Sequence, residues 1–442
     1  MLTEGWLGRV AARRPEAVAL ETPSGAITYA ELLAVAKAGA VELAARGARP
    51  GERVAIELPP GLDFAFVLHA CFLLGAVAVP VDLRMSSYER DVIAAGASVR
   101  VDEPLQSTGR GAEESSARHD LDAPAVVIHT SGTSSAPKPI ELTYGNLLWS
   151  ALGSAVALGV DPDERWLCAL PLSHVGGLSI LVRSAIYGTT AVIHERFETE
   201  RVLRALRDED ITLVSVVATT LARLLDAGLD QPAALRCALT GGGPVPAALV
   251  ARAAKAGVPV SMTYGLTESC SQVTTAPIAA LDEGDLGAGP PLFCTRVCCA
   301  EDGEILVAGP TVAPGALASD GWLHTGDLGV LDEQGRLSVT GRKADTIVTG
   351  GENVAPSEVE AVLEAHPDVL EAAVVGRPDE EWGEAITAIV VLRDGHASGD
   401  GDAALRAHCA ASLAPYKVPK QVVLRAEPLP RTRSGKLLRR EL

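Results

Sequence analysis

Short β-rich runs alternate with helical runs along most of this chain, and that alternation limits the fold more than any other feature. Between residues 166 and 262 strands at 166–170, 190–194, 213–217, 237–240 and 258–262 are separated by helices at 178–186, 198–207, 219–225 and 246–256. Parallel strands need crossover connections, and the helices then cover both faces of the sheet. The same texture comes earlier, with a helix at 28–45, a strand at 54–58, a helix at 63–74 and a strand at 76–79. Thr28 and Glu31 stand at capping-box spacing ahead of the first helix. Ligands of open α/β sheets bind beyond the carboxyl ends of strands. Three loops of small and polar residues stand at such ends, at 130–138, 241–244 and 263–268.

From about residue 286 glycine, proline and short strands take over, which reads as a β subdomain. Near Arg342 a new unit begins, with helices at 357–365 and 403–411 and strands at 372–375, 386–392 and 421–424. A chain of 442 residues exceeds one ordinary core. The expectation is an α/β protein: a large N-terminal domain over 1–341, with layered sheets and a β subdomain at about 286–341, and a small mobile C-terminal α+β domain over 342–442 that ends in a mobile basic tail.

The formal net charge of −18 argues against a broad nucleic-acid surface, which needs clustered positive charge. Residues 64–81 form the one candidate membrane span, but His69, Gly75 and Pro80 interrupt it, so it reads as a buried helix, a turn and a buried strand. Residues 1–14 carry Glu4 and no long apolar core, unlike a secretory signal. A cytoplasmic protein is expected. The eight cysteines are scattered, and Cys294, Cys298 and Cys299 lack a partner set at zinc-site spacing, so all are expected to be reduced structural thiols.

The stretch HTSGTSSAPK, residues 129–138, follows an apolar β-rich run. Gly132 permits a sharp turn, Thr130, Ser131 and Thr133 offer hydroxyls, and Lys138 adds a point charge. Successive backbone N–H groups in such a turn can cradle a polyphosphate. The spacing is not that of a Walker A loop, and a plain polar surface loop is the alternative.

Five stretches together resemble the adenylate-forming superfamily, which holds acyl-CoA synthetases, peptide-synthetase adenylation domains and luciferases. They are TSGTSSAPK (130–138), YGLTES (264–269), TGDLG (325–329), GRKADTIVTGGENVAPSEVE (341–360) and RTRSGKLLRREL (431–442), in the family's order. The resemblance implies two steps: a carboxylate attacks the α-phosphate of ATP, and CoA then displaces AMP to form a thioester. It implies ATP, Mg²⁺ and CoA as cofactor and co-substrates, and a small carboxylic acid as substrate. It carries Glu268 over as the metal ligand, Thr267 as an α-phosphate contact and Lys436 as the adenylation lysine. Thr130, Ser131, Gly132, Thr133 and Lys138 would hold phosphates, and Asp327 and Arg342 the ribose. Tyr264, Gly265, Gly241 and Gly242 would line the nucleotide. His174, in PLSHVGG, would line the acyl site, as would Gly243, Ser269 and Gln272. Each also has a plain reading: a core histidine, a turn aspartate, a surface arginine, a solvated tail.

Segments 143–159, 171–188, 241–250 and 263–275 further resemble the 2-succinylbenzoate–CoA ligases of menaquinone synthesis. Such a substrate has a second, aromatic carboxylate. Arg183 is basic and close in sequence, but its facing on the helix cannot be read. A CoA ligase for another aryl or short- to medium-chain acid is the alternative, and a non-catalytic nucleotide-binding relative the third reading. A homo-oligomer stays open. Ser135 and Pro139 stand where the family has glycine, which suggests a stiffer phosphate loop. Ala344 stands where many relatives carry an acidic or basic hinge residue, so the hinge, at about 341–346, would lean on Gly341, Gly350 and Gly351.

Overall fold

The computed structural model describes residues 1–106, 118–130, 137–277, 287–379, 382–393, 401–431 and 437–442. Two large sheets carry the N-terminal part. The eight-stranded sheet runs, in spatial order, Ser271–Thr275, Val260–Leu266, Cys237–Thr240, Leu213–Val216, Arg165–Cys168, Thr190–Ile193, Val18–Thr22 and Gly25–Thr28. The five-stranded sheet runs Val99–Val101, Arg53–Ile56, Val77–Pro80, Pro124–Thr130 and Lys138–Thr143. Both are parallel inside, as the alternation requires, and antiparallel at an edge: Val260–Leu266 against Ser271–Thr275, and Pro124–Thr130 against Lys138–Thr143.

The period of two along a strand sorts side chains between layers. Trp166 and Cys168 join the core shared by both sheets, while Leu167 between them joins the cluster on the outer face. The shared core is filled by helices Trp6–Arg13, Tyr29–Ala45, Leu62–Leu74, Tyr144–Leu158 and Val175–Tyr187. Helices Thr199–Asp208, Ala218–Asp226 and Ala247–Lys255 cover the outer face of the eight-stranded sheet. Helix Ser87–Ala94 covers that of the smaller one. Helix Leu62–Leu74 is apolar on every side because it lies between sheets, and it ends at Gly75 with φ +77°. Among the described residues no helix is long and apolar enough to cross a membrane.

A four-stranded antiparallel sheet, Arg296–Cys299, Glu304–Ala308, Leu323–Leu331 and Leu337–Arg342, forms the β-rich part. A last sheet has Glu352–Val354, Ile347–Thr349, Gly383–Leu392 and Val369–Asp379 in order, with Gln421–Arg425 added to Gly383–Leu392, and helices Pro356–Glu364 and Gly401–Ser412 pack on it. Gly350 and Gly351, expected to free a hinge, have φ of +59° and +84° and make the two-residue turn of the hairpin Ile347–Val354. That turn needs positive φ at both positions, so the glycines serve the sheet. The expected free tail is also corrected at its end. Leu438 N donates to Pro430 O at 2.8 Å, and the Arg439 guanidinium reaches Glu360 at 2.9 Å and Asp345 at 3.3 Å. A partly buried guanidinium with two carboxylates holds those last residues down. All eight cysteines are free thiols.

Two histidines sit inside the shared core. His119 stacks on Tyr144 with centroids 4.4 Å apart, and its Nε2 accepts the Trp6 backbone N–H at 3.4 Å. His69 is 2% exposed, packs its ring edge-on to Phe72, and leaves Nε2 without a partner. Burial pushes both imidazoles down to about 4, so the folded chain holds them neutral. In the unfolded chain they take up protons near pH 6.5, and stability therefore falls as pH drops from about 6.5 towards 4. The first of the two costs on the order of 3 kcal/mol across that window. Urea midpoints measured between pH 7 and 4.5 are expected to drop accordingly, and a flat profile would contradict the neutral pair.

Candidate active site

The edge strands of the two large sheets, Lys138–Thr143 and Ser271–Thr275, come together at the short turn Thr267–Ser269. The strand Lys138–Thr143 packs against that turn. Ala313 N donates to Glu268 O at 2.8 Å, and Asn146 Nδ2 donates to the carbonyls of Pro310 and Val312 at 2.9 and 3.0 Å. Pro139 is tolerated because its strand is at an edge, where a missing N–H breaks no inner ladder. Thr130 and Lys138 face each other at the mouth of this hairpin, with the Thr130 hydroxyl 3.4 Å from Lys138 O. Ser131, Gly132 and Thr133, expected to grip phosphate, and Lys436 lie outside the described residues.

The turn itself is tightly made. Ser269 Oγ accepts the Leu266 N–H at 3.2 Å and donates to Leu266 O at 3.1 Å, so this hydroxyl serves as a cap within the turn. Cys270 N closes it on Thr267 O at 3.0 Å. Cys270 and Ser271 then take φ of +56° and +91°, strained values for side-chain-bearing residues. Opposite them a Cβ at Gly265 would fall 1.6 Å from Ser271 O, so only glycine fits. Glu268 is half-buried beside this turn. Gln272 is 1% exposed: its amide N–H donates to Thr275 Oγ1 at 2.7 Å, and its Oε1 has no partner.

Tyr264, Asp327 and Arg342 form one cluster. Tyr264 OH donates to Asp327 Oδ2 at 2.9 Å, and Arg342 Nε reaches Oδ1 at 2.9 Å. The last pair faces across the ladder between Leu323–Leu331 and Leu337–Arg342. Burial, and then the Asp327 charge, push the Tyr264 phenol well above its usual range. The phenol stays a donor, the Asp327 carboxylate is pinned by one donor on each oxygen, and lone pairs on both oxygens remain for a diol. Below it, Glu304 accepts the Gly326 N–H at 2.9 Å and meets Lys343 Nζ at 3.1 Å. Burial opposes ionisation of Glu304, but these partners outweigh it and hold its carboxyl below the usual range.

Gly241 ends its strand against Thr263, whose carbonyl oxygen a Cβ would approach to 2.7 Å. At Gly243, by contrast, a Cβ would meet nothing within 4 Å, so packing within the chain gives no reason for glycine there. His174 N-caps helix Val175–Tyr187, and its carbonyl accepts the N–H groups of Gly177 and Leu178 at 3.1 and 3.0 Å. The close approach permitted by Gly177 is internal: a Cβ would lie 2.4 Å from Pro171 O.

One further residue stands out. Arg183, on helix Val175–Tyr187, is 2% exposed, and among the described residues its guanidinium meets no carboxylate. Nη2 donates to Ser150 Oγ at 3.2 Å, the group lies 5.6 Å from the Trp166 ring centroid, and Nε has no partner. Burial lowers its affinity for the proton, as expected for an uncompensated charge.

Residues 7–317 match the family described as AMP-binding enzyme, and residues 358–436 match the AMP-binding enzyme C-terminal domain. The chain belongs to the AMP-binding enzyme family. Within that family it is 39% identical over 485 residues to the 2-succinylbenzoate–CoA ligase of Bacillus subtilis (strain 168), covering 100% of this chain and 98% of that protein. Its fold matches o-succinylbenzoate CoA synthetase (MenE) from Bacillus subtilis in complex with the acyl-adenylate intermediate OSB-AMP, at TM-score 0.90 and 37% identity over 100% and 98% of the two chains. The same synthetase in complex with ATP and magnesium ion matches at 0.89 and 37% over 100% of both chains. The resemblance drawn from the five motif stretches therefore holds, as does the α/β fold with a large N-terminal and a small C-terminal domain.

Among the described residues no three His, Cys, Asp or Glu side chains gather to hold a metal ion. Glu268 is a half-buried carboxylate at a turn and belongs to no such group. A site short of three protein ligands suits Mg²⁺, which keeps phosphate oxygens and waters for its other positions, better than it suits zinc.

Proposed function

We propose that this AMP-binding enzyme is an ATP-dependent acid–CoA ligase whose acid is 2-succinylbenzoate. The reading of the acid rests on one observation above all: the buried Arg183 guanidinium, which meets no carboxylate among the described residues and lies one hydroxyl away from Cys270. An isolated buried charge is costly, and an anionic ligand supplies what the chain withholds. A dicarboxylate has one carboxylate to react and one for Arg183.

The roles are those the family resemblance implies, and the Tyr264–Asp327–Arg342 cluster supports the one at the ribose. Asp327, held by Tyr264 and Arg342, accepts the ribose hydroxyls. The hairpin that carries Thr130 and Lys138 faces the phosphates. Glu268 and Thr267 stand at the α-phosphate, where Glu268 would hold Mg²⁺, and a divalent ion there screens the phosphate charge that repels the incoming carboxylate. His174, Gly243 and Gln272 line the acyl side. Lys436 brings its ammonium to the carboxylate and α-phosphate. The acid's carboxylate oxygen bonds to α-phosphorus as pyrophosphate leaves, and the CoA thiol then attacks the acyl carbon as AMP leaves. Both steps need charge stabilised at fixed positions, with no covalent nucleophile from the chain.

Pyrophosphate release with Mg-ATP, with and without CoA, tests the reading across 2-succinylbenzoate, benzoate, 4-coumarate, acetate and a medium-chain fatty acid. Selective turnover of succinylbenzoate to its thioester is expected. Turnover of another acid alone would discard the substrate and keep the ligase. In Lys436→Ala, adenylation should slow by about 10²-fold or more, while thioester formation from supplied acyl-adenylate changes little. Equal loss in both half-reactions would remove Lys436 from the first.

A further inference from the structure

Ser150 has no part in the roles above, yet it joins two of them. It sits on helix Tyr144–Leu158, 2% exposed. Its hydroxyl accepts from Arg183 Nη2 at 3.2 Å and donates to Cys270 O at 2.6 Å. A serine hydroxyl has one proton, and here it is spent on the Cys270 carbonyl, so its lone pairs are turned to Arg183. Cys270 follows the turn that carries Thr267 and Glu268, and with Ser271 it holds left-handed φ values. The direction of that carbonyl is therefore fixed by a strained backbone and by Ser150 together.

We propose that Ser150 is a positioning residue that couples acyl recognition at Arg183 to the Glu268 turn. A carboxylate arriving at Arg183 draws the guanidinium towards itself. The Ser150–Cys270 bond carries the resulting constraint to the turn that bears Glu268. The distal charge of the acid thus sets the geometry of the adenylation turn, and an acid without that charge leaves it unset. This rests on the reading of Arg183 as the site of the second carboxylate.

The test compares 2-succinylbenzoate with 4-oxo-4-phenylbutanoate, the same keto acid without the ring carboxylate. ATP–pyrophosphate exchange is followed in the wild type, Ser150→Ala, Ser150→Thr, Arg183→Met and Ser150→Ala/Arg183→Met. Active sites are titrated so that misfolded protein does not count. With succinylbenzoate, Ser150→Ala should lower kcat by about tenfold or more, in addition to any rise in KM. With the phenyl acid it should change kcat by less than about twofold, Ser150→Thr should recover most of the loss, and the double variant should be no worse than Arg183→Met alone. An equal loss with both acids, or full additivity in the double variant, would overturn the coupling and leave Ser150 a structural residue. Wild-type protein that prefers the phenyl acid would instead strike the reading of Arg183, and the coupling with it.

Discussion

Arg183→Met is expected to lower kcat/KM for 2-succinylbenzoate by about 10²–10³-fold while making the chain harder to unfold. The two effects have one cause. The guanidinium is buried against Trp166 and Ser150 and meets no carboxylate among the described residues, so its charge is uncompensated there. Replacing such a charge with an apolar side chain of similar length removes its desolvation cost, and the thermal midpoint should rise by about 2 °C. The complex loses the opposite way: a substrate carboxylate is left in an apolar pocket, a loss of about 2–5 kcal/mol when one member of a buried pair is removed. A merely structural arginine would give the reverse pattern, with lower stability and an unchanged preference among acids. Thermal unfolding without ligand, with pyrophosphate release beside it, separates the cases. A variant that is both less stable and still selective would remove Arg183 from the acyl site.

Why Arg183 escaped assignment from sequence is instructive. Its helix reads clearly, and its charge is unusual there. Which way it faces depends on Ser150, 33 residues earlier, and on Trp166 of a neighbouring strand. Most inner strands and helices were legible because burial on both faces imposes long apolar runs of fixed period, though the inner strand Val18–Thr22 and the core helix Trp6–Arg13 were not. Edge strands were not. Lys138–Thr143 mixes Lys138, Pro139 and Glu141 with its buried residues, as an edge permits, and so hides its pattern. Helix Ser87–Ala94 did leave a signal, the Ser86–Glu89 capping box, whose hydrogen bonds are formed. The Tyr264–Asp327–Arg342 cluster was legible, through the family resemblance, as residues of one nucleotide site, but not as a bonded group. Its assembly depends on the register that sets Asp327 opposite Arg342, and no spacing in the chain announces it.

That register also bears on motion. Arg342 is held by Asp327 at 2.9 Å, and Lys343 by Asp302 and Glu304 at 2.6 and 3.1 Å, all on the β-rich part. Asp345 is held by Arg439, which is tied to Glu360, and from Ile347 the chain enters the core of the last sheet. Ala344 is the single exposed residue between the two sets of anchors. We infer that the small domain pivots there, without Gly350 and Gly351. Ala344 lies in the middle of the short 3₁₀ turn Lys343–Asp345, and the φ usual for such a turn, about −50 to −70°, is near the value proline imposes. Ala344→Pro should therefore lock the present arrangement, which matches the relative holding ATP and magnesium ion. Adenylation should survive, seen as a burst of about one pyrophosphate per site, with acyl-adenylate retained. On that inference, in which the small domain turns before the second step, thioester formation should slow by about 10²-fold. A proline variant that makes thioester at the wild-type rate would show either that the pivot lies elsewhere or that one arrangement serves both steps. Small-angle scattering with ATP, with acyl-adenylate and with CoA tells these apart, since only the first leaves a change of shape.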